Sequence, residues 1–317
     1  MKHFLQYSNR ILVTGGAGNV GSALVGRLIQ DSDNFVIIVD NLKTGSFEKL
    51  PQSGTNWKFI KCDVNIWEDI MPIFLSYNID YVFHYAATVG VQRTLENPVS
   101  VLHDMEGIKN ILNLSKNTPV KRVFYSSSSE VYGEPVEFPQ NEETTPLNSK
   151  LPYAIVKNIG EAFLKSYKLE YNLNYTIFRF FNTYGPNQSQ DFVVSKFLKS
   201  ALNNEDITIY GDGSQSRTLC YIDDNTEATI NAFLNPEWEN TTINIGNNNE
   251  TTVLDIAHLI ISITNSKSKI VHLPPLKEGD MTRRLPDISN MQTLLNNRPL
   301  VSLEEGIKKM LKKWNSN

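Results

Sequence analysis

Tyr153 and Lys157 stand four residues apart in Tyr153-Ala-Ile-Val-Lys157, and side chains at that spacing share one face of a helix. A phenol ionises near pKa ~10 and a lysine ammonium near ~10.4. An ammonium beside the phenol favours tyrosinate, so the pair has the makings of a general base that works nearer neutral pH. Far upstream, Thr14-Gly-Gly-Ala-Gly-Asn-Val-Gly21 supplies a glycine-rich loop, and Ser126-Ser-Ser-Ser-Glu130 supplies hydroxyls and an acid. Gly15, Gly18 and Gly21 fall between an apolar run and a helical pattern. In that setting glycine permits a tight turn and close backbone approach to a pyrophosphate at a helix N-terminus. Asp40 ends the next apolar run, about twenty residues on. A carboxylate there accepts from adenosine ribose hydroxyls and repels a 2′-phosphate, which favours NAD over NADP. The competing readings are plain: Tyr and Lys are common on helices, and a glycine turn can be purely structural.

The elements that would position these residues alternate in type. Arg10–Thr14, Phe35–Asp40, Lys58–Cys62, Tyr81–Tyr85, Arg122–Ser126 and Asn174–Phe180 read as strands. Helical patterns cover about Gly18–Gln30, Trp67–Tyr77 (broken by Pro72), Pro98 to near Asn117, and a helix opened by Pro152, a residue suited to the first turn. Continuous apolar strands between helices imply a parallel sheet covered on both faces, the doubly wound (Rossmann) α/β architecture. After Asn182-Thr-Tyr-Gly-Pro186 the pattern turns irregular: a helix at Val193–Leu202, a strand at Ile207–Tyr210, the turn Gly211-Asp-Gly213 and Pro274-Pro275. This reads as a smaller C-terminal α/β substrate domain built over the carboxyl edge of the sheet. A helix near Asp223–Phe233 returns to the first domain, and Glu304–Trp314 is a terminal amphipathic helix. The expected division is 1–180 with about 218–246 for the dinucleotide domain, and 181–217 with 247–317 for the substrate domain. Residues 1–9 read as a loose leader or a short added strand.

Composition narrows the function classes. The chain has 317 residues, 40% hydrophobic and 20% charged, with net charge −4. That is ordinary for a soluble globular protein and implies no pull toward nucleic acid or an anionic membrane. Cys62 and Cys220 sit in apolar strand-like runs and read as small buried hydrophobes, suiting a reducing cytoplasm. No apolar run approaches a membrane span. The five histidines show no metal-ligand spacing, and His84 reads as a strand-end core residue.

Together, Thr14–Gly21, Val39-Asp-Asn-Leu42, His84-Tyr-Ala-Ala87, Tyr125-Ser-Ser-Ser-Ser-Glu-Val-Tyr-Gly133, Tyr153-x-x-x-Lys157 and Arg179-Phe-Phe-Asn-Thr-Tyr-Gly-Pro186 resemble the extended short-chain dehydrogenase/reductases. More narrowly, they resemble the NAD-dependent epimerase/dehydratase family acting on nucleotide sugars, from about Arg10 to the C-terminus. The resemblance implies that Tyr153 removes the sugar C4 hydroxyl proton, that Lys157 holds the nicotinamide ribose and lowers the tyrosine pKa, and that Ser128 hydrogen-bonds the reacting hydroxyl. It places Asn19, Val20, Asn41, Asp63, Val64, Tyr85, Ala86 and Ala87 with Gly15, Gly18, Gly21 and Asp40 around NAD, and Phe180 near the nicotinamide. Asp63 reads equally as a strand-end cap. Asn182 and Arg217 would contact the substrate diphosphate, a role that suits arginine as a bidentate phosphate partner. Asp104 and Glu106 stand where relatives often have asparagine. A homodimer through the helices near Pro98–Asn117 and Pro152–Tyr171 is also implied.

Members of that family share C4 oxidation and differ in the step after it. Glu130 is the discriminator: with Ser128 and Ser129 it is similar to the Ser/Thr-Ser-Glu of UDP-glucuronate decarboxylases and to the triplet of GDP-mannose 4,6-dehydratases. Ser129 departs from the aspartate of dTDP-glucose dehydratases, and a hydroxyl is a poorer acid than a carboxyl group. Arg284, in Arg284-Leu-Pro-Asp-Ile288, matches a decarboxylase arginine that serves the substrate carboxylate, whereas Glu278-Gly-Asp280 looks like the epimerases. The other reading of Glu130 is a structural carboxylate. The expected function is NAD-dependent C4 oxidation of a nucleoside-diphosphate hexose or heptose, giving 4-epimerisation or a 4-keto sugar. The alternatives are UDP-glucuronate decarboxylation, then GDP-sugar 4,6-dehydration. A non-enzymatic NAD(H)-sensing protein would need none of Ser128, Tyr153 and Lys157. Heavy use of Asn, Lys and Ile points to an AT-rich bacterial source, where such enzymes build surface glycans.

Overall fold

The computed structural model describes residues 3–275 and 283–315. Its chain runs β1 (Asn9–Thr14), α1 (Asn19–Leu28), β2 (Asn34–Asp40), β3 (Trp57–Lys61), α2 (Trp67–Tyr77), β4 (Tyr81–His84), α3 (Val91–Glu96), α4 (Pro98–Leu102), α5 (Asp104–Lys116), β5 (Arg122–Ser128), α6 (Pro152–Tyr171) and β6 (Asn174–Phe180). There follow β7 (Thr183–Tyr184), α7 (Val193–Leu202), β8 (Ile207–Tyr210), β9 (Ser216–Thr218), β10 (Cys220–Tyr221), α8 (Ile222–Leu234), β11 (Thr241–Ile245), β12 (Glu250–Thr252), α9 (Val253–Thr264), β13 (Ile270–Leu273), α10 (Ser289–Leu294) and α11 (Leu303–Trp314).

Seven strands form one sheet in the order β11-β6-β5-β4-β1-β2-β3, and every pairing in it is parallel. Parallel strands need crossovers that cover both faces, which is why these strands are apolar throughout. Alternate side chains of β1 show the consequence. Leu12 joins the core beneath α2, α5 and α6, while Ile11 and Val13 join the core beneath α1, α8 and α10. Strand order reverses between β1 and β4, and a ligand crevice opens at such a switch point, beyond the carboxyl ends of the strands. A third apolar cluster, built from α7, α9, α11 and β8, lies over that edge.

Several local expectations need correction. Helix α2 continues through Pro72, because Pro72 and Glu68, whose carbonyl loses its partner, are both exposed and that carbonyl has water as an alternative. The helix expected from Pro98 to near Asn117 is two helices, parted at His103. In the described part of the N-terminal segment, His3–Gln6 form a 3-10 turn in place of an added strand, and the Phe4 ring packs 4.9 Å from that of Tyr77 and 6.0 Å from that of Phe35. Glu278 and Asp280 lie outside the described residues. Among the described residues no helix is long and apolar enough to cross a membrane.

Candidate active site

A cleft of about 1020 Å³ lies at the carboxyl edge of the sheet, at the upper end of the ~300–1,000 Å³ usual for small-molecule sites. It collects residues far apart in sequence. From the β1–α1 loop come Gly15, Gly18, Asn19, Val20 and Gly21; from the ends of β2, β3 and β4 come Asp40 and Asn41, Asp63 and Val64, and Tyr85, Ala86 and Ala87. The end of β5 contributes Ser128, Ser129 and Glu130; α6 contributes Tyr153 and Lys157; Phe180, Asn182, Arg217 and Arg284 complete the lining. Every site residue singled out from the sequence faces this one cleft.

The glycine loop has no room for side chains. Gly15 has φ +66°, and a Cβ there would stand 2.7 Å from the backbone nitrogen of Ala86, while a Cβ on Gly21 would collide with the Gly15 carbonyl. The loop therefore approaches β4 and α1 at backbone distance. Asp40 holds it there, accepting from Ala17 N at 3.0 Å through one carboxylate oxygen and from Leu42 N at 2.8 Å through the other. Each oxygen has lone pairs left for a ribose hydroxyl. Asp63 accepts from Asn41 Nδ2 at 3.0 Å and from Asn65 N at 3.1 Å. Burial opposes its charge, but these hydrogen bonds and Lys43 outweigh it and hold the carboxyl below its usual value. A backbone cradle at a helix N-terminus, with an acid at the end of β2, fits the diphosphate and adenosine ribose of NAD.

At the other end of the cleft, Ser128 closes β5 and caps the short turn Ser129–Tyr132, its Oγ accepting from Glu130 N at 3.2 Å. Ser128 also lies close enough to the Tyr153 phenol to favour its ionised form. Lys157, nearly buried, donates from Nζ to Ser126 O at 2.6 Å, with its Nζ 5.8 Å from the Tyr153 ring centroid. Glu130 and Arg284 meet at 2.7 Å, and Arg284 donates to Ser129 Oγ at 2.7 Å. Asn182 has φ +32°, and its buried Nδ2 has no hydrogen-bond partner among the described residues, a donor left for a ligand. Arg217, on β9, is half-buried and donates to Ser216 O at 2.7 Å.

Electrostatics correct one expectation. Lys157 does not bring the Tyr153 phenol down in the chain alone. Burial pushes that phenol well above its ordinary value; the Ser128 hydroxyl and Arg284 lower it, while Glu130 and Asp104 add to the rise. Lys157 is itself pulled down to about 8, because burial penalises its ammonium more than Asp104 supports it.

Sequence reasoning overlooked other lining residues. Ser126 receives Lys157, Arg93 bonds Asp191 at 2.7 Å near the cleft mouth, and Asn65, Thr88, Asn97, Gln188 and Phe192 also line the wall. The signal that would have found Thr88, Arg93 and Asn97 is position: they follow the strand end marked by His84-Tyr-Ala-Ala87, beside the switch point. Among the described residues no group of three His, Cys, Asp or Glu side chains is placed to hold a metal.

Residues 11–246 match the family described as NAD dependent epimerase/dehydratase. The UDP-N-acetyl-alpha-D-glucosaminuronate decarboxylase of Bacillus cytotoxicus is 34% identical over 316 residues, covering 95% of this chain and 96% of its own. The UDP-glucose 4-epimerase of Thermotoga maritima, solved with UDP-glucose, superimposes with a TM-score of 0.90 at 34% identity, covering 97% of this chain and 99% of that one. The UDP-glucuronic acid 4-epimerase of Bacillus cereus, solved with UDP-glucuronic acid and NAD, gives a TM-score of 0.87 at 29% identity over 97% of this chain and 99% of that one.

Proposed function

The chain belongs to the NAD-dependent epimerase/dehydratase family, is an enzyme of the nucleotide-sugar epimerase and decarboxylase type with NAD as its cofactor, and on that premise we propose that it oxidises C4 of a nucleoside-diphosphate sugar and returns the C4 epimer. The observation that carries this reading is the convergence of Ser128, Tyr153 and Lys157 at one end of a cleft whose other end is the glycine loop and Asp40. Tyr153 takes the C4 hydroxyl proton, and Ser128, beside that phenol, aligns the hydroxyl. Lys157 would hold the nicotinamide ribose, and Phe180, which lines the same cleft, would flank the ring. Asn182 and Arg217 hold the diphosphate. When bound, NAD supplies a cationic ring that takes up the C4 hydrogen with its electron pair, can give it back to the opposite face, and favours tyrosinate over phenol.

The Glu130–Arg284 pair favours a neutral hexose or heptose over a uronic acid. With its partner at 2.7 Å, the Arg284 charge is already met, and a substrate carboxylate would have to displace Glu130. Decarboxylation of a UDP-uronic acid is the second reading, favoured by the same arginine facing the cleft and by the Bacillus cytotoxicus relative. The reading also makes the chain a cytoplasmic homodimer serving bacterial surface-glycan synthesis. Exposed Val99, Leu102 and Ile155, on the packed helices α4 and α6, support the dimer.

Incubating the enzyme with UDP-, GDP- and dTDP-linked hexoses and UDP-glucuronic acid, followed by chromatography and mass spectrometry, tests this directly. A new sugar of unchanged mass is expected. Loss of carbon dioxide from UDP-glucuronic acid would install the second reading, loss of water would install a dehydratase, and no altered sugar across the panel would sink both.

A further inference from the structure

Asp104 opens α5 in the wall of the cleft and has no part in the chemistry above. Its carboxylate accepts from Thr88 N at 2.6 Å. Behind the cleft it lines a small void together with Lys157, Tyr153, Tyr125 and His84. We infer that Asp104 is a positioning residue of the reaction: its carboxylate is the counter-charge that keeps Lys157 an ammonium despite the burial of its side chain in the cleft wall. The inference deepens the C4-oxidation reading and rests on it for its catalytic meaning.

Few groups around the void can carry charge. Thr14 Oγ1 accepts from Tyr85 N at 3.0 Å and Ala86 N at 3.1 Å, so its lone pairs are taken and its proton goes to His84 Nδ1, 2.9 Å away. His84 is therefore the Nε2–H tautomer, and burial with Lys157 beside it pushes its pKa down to about 3. It adds no charge at neutral pH. Tyr125 and Tyr153 are both held above their ordinary values, chiefly by burial, so they are neutral as well. Glu161, one turn along α6, is taken up by Arg179 through a bidentate pair at 2.7 and 3.0 Å. Glu130, facing Tyr153, is taken up by Arg284. Asp104 is what remains to answer Lys157, and it is the charge that opposes the loss of the Lys157 proton. Burial raises the Asp104 carboxyl, whereas the Thr88 N–H, Lys157 and Asn65 favour its ionised form. An uncharged hydrogen-bonding residue would satisfy Thr88 equally well, so satisfying that bond is no reason for a charge here.

The test reads the protonation of Lys157 without any sugar. Cyanate is small enough to enter the cleft and carbamylates only the unprotonated amine. The rate at Lys157, followed by peptide mass spectrometry across pH on the purified full-length enzyme, should show a midpoint near 8. In Asp104→Asn that midpoint should fall by about one unit, the size an opposite charge commonly confers, giving roughly fivefold faster labelling at pH 7. Asp104→Glu should restore it. Should Asp104→Asn melt too low to assay, Asp104→Ser, smaller and also uncharged, is read the same way. The alkaline limb of kcat should move down with the labelling midpoint. Equal midpoints in the enzyme and its uncharged variants would overturn the inference whatever the sugar panel shows, and an inactive panel with a shifted midpoint would overturn C4 oxidation alone.

Discussion

The phenol of Tyr153 becomes a base only when something offsets its burial. Its helical spacing from Lys157 was legible from sequence because side-chain direction on a helix is a local property. The sign of the net electrostatic effect was not legible, since it depends on how much water the fold removes and on Glu130 and Asp104, which reach the site from other elements. The Glu130–Arg284 contact was equally hidden: both residues were singled out, but nothing local says that they meet. Tyr153→Phe keeps the packed ring and removes the proton acceptor. Turnover should drop by about 10²–10⁴, the usual worth of a positioned general base, while NAD affinity by calorimetry and KM for the sugar stay within a few-fold. A variant retaining a tenth or more of wild-type kcat would take the base away from Tyr153.

Helix α6 aligns the site because it is fastened to β5 and β6 at two successive turns. Lys157 reaches Ser126, and Glu161 receives Ser127 Oγ at 2.5 Å and grips Arg179 of β6. At Gly160 the helix lies against Tyr125 so closely that a Cβ would collide with the phenol, which explains a glycine in mid-helix despite its cost there. The major strands and helices were legible because apolar periodicity belongs to each segment by itself. The break at His103 and the strand β11 were not legible. The first depends on where α5 begins over the cleft wall, and the second on a short segment, Thr241–Ile245, finding β6 as its neighbour. Glu161→Gln should lower unfolding free energy by about 3–5 kcal/mol, because it leaves the Arg179 charge buried without its partner. Urea unfolding reads this as a shift in midpoint. Replacing both ends at once, Glu161→Leu with Arg179→Met, should cost less than the single change. A double variant as unstable as the sum of its singles would show that the pair does not act as a unit.

At the scale of the whole molecule, the parallel order 3-2-1-4-5-6 with β11 added beyond β6 puts the strand ends at one edge, and the cluster around α7, α9 and α11 over that edge. The same arrangement leaves α4 and α6 side by side on the outside of the sheet with apolar groups facing water: Leu102 is 41% exposed, Ile155 39%, and Val99, which also borders the cleft, 67%. Scattered apolar groups are ordinary on a surface, but neighbouring ones on two packed helices are what an association face presents. A stable symmetric pair buries roughly 1,200–2,000 Å² in total, and a two-fold axis between such helices would bring both copies of the patch together. The proposed homodimer should therefore sediment at twice 36.0 kDa at micromolar concentration. Val99→Glu with Ile155→Glu should bring it to the monomer mass, because each new carboxylate would be buried against an apolar partner. Both side chains are exposed within one chain, so the variant's circular dichroism should be unchanged. A wild-type chain that sediments as a monomer would remove the dimer outright, and a variant that stays dimeric would move the interface off this face.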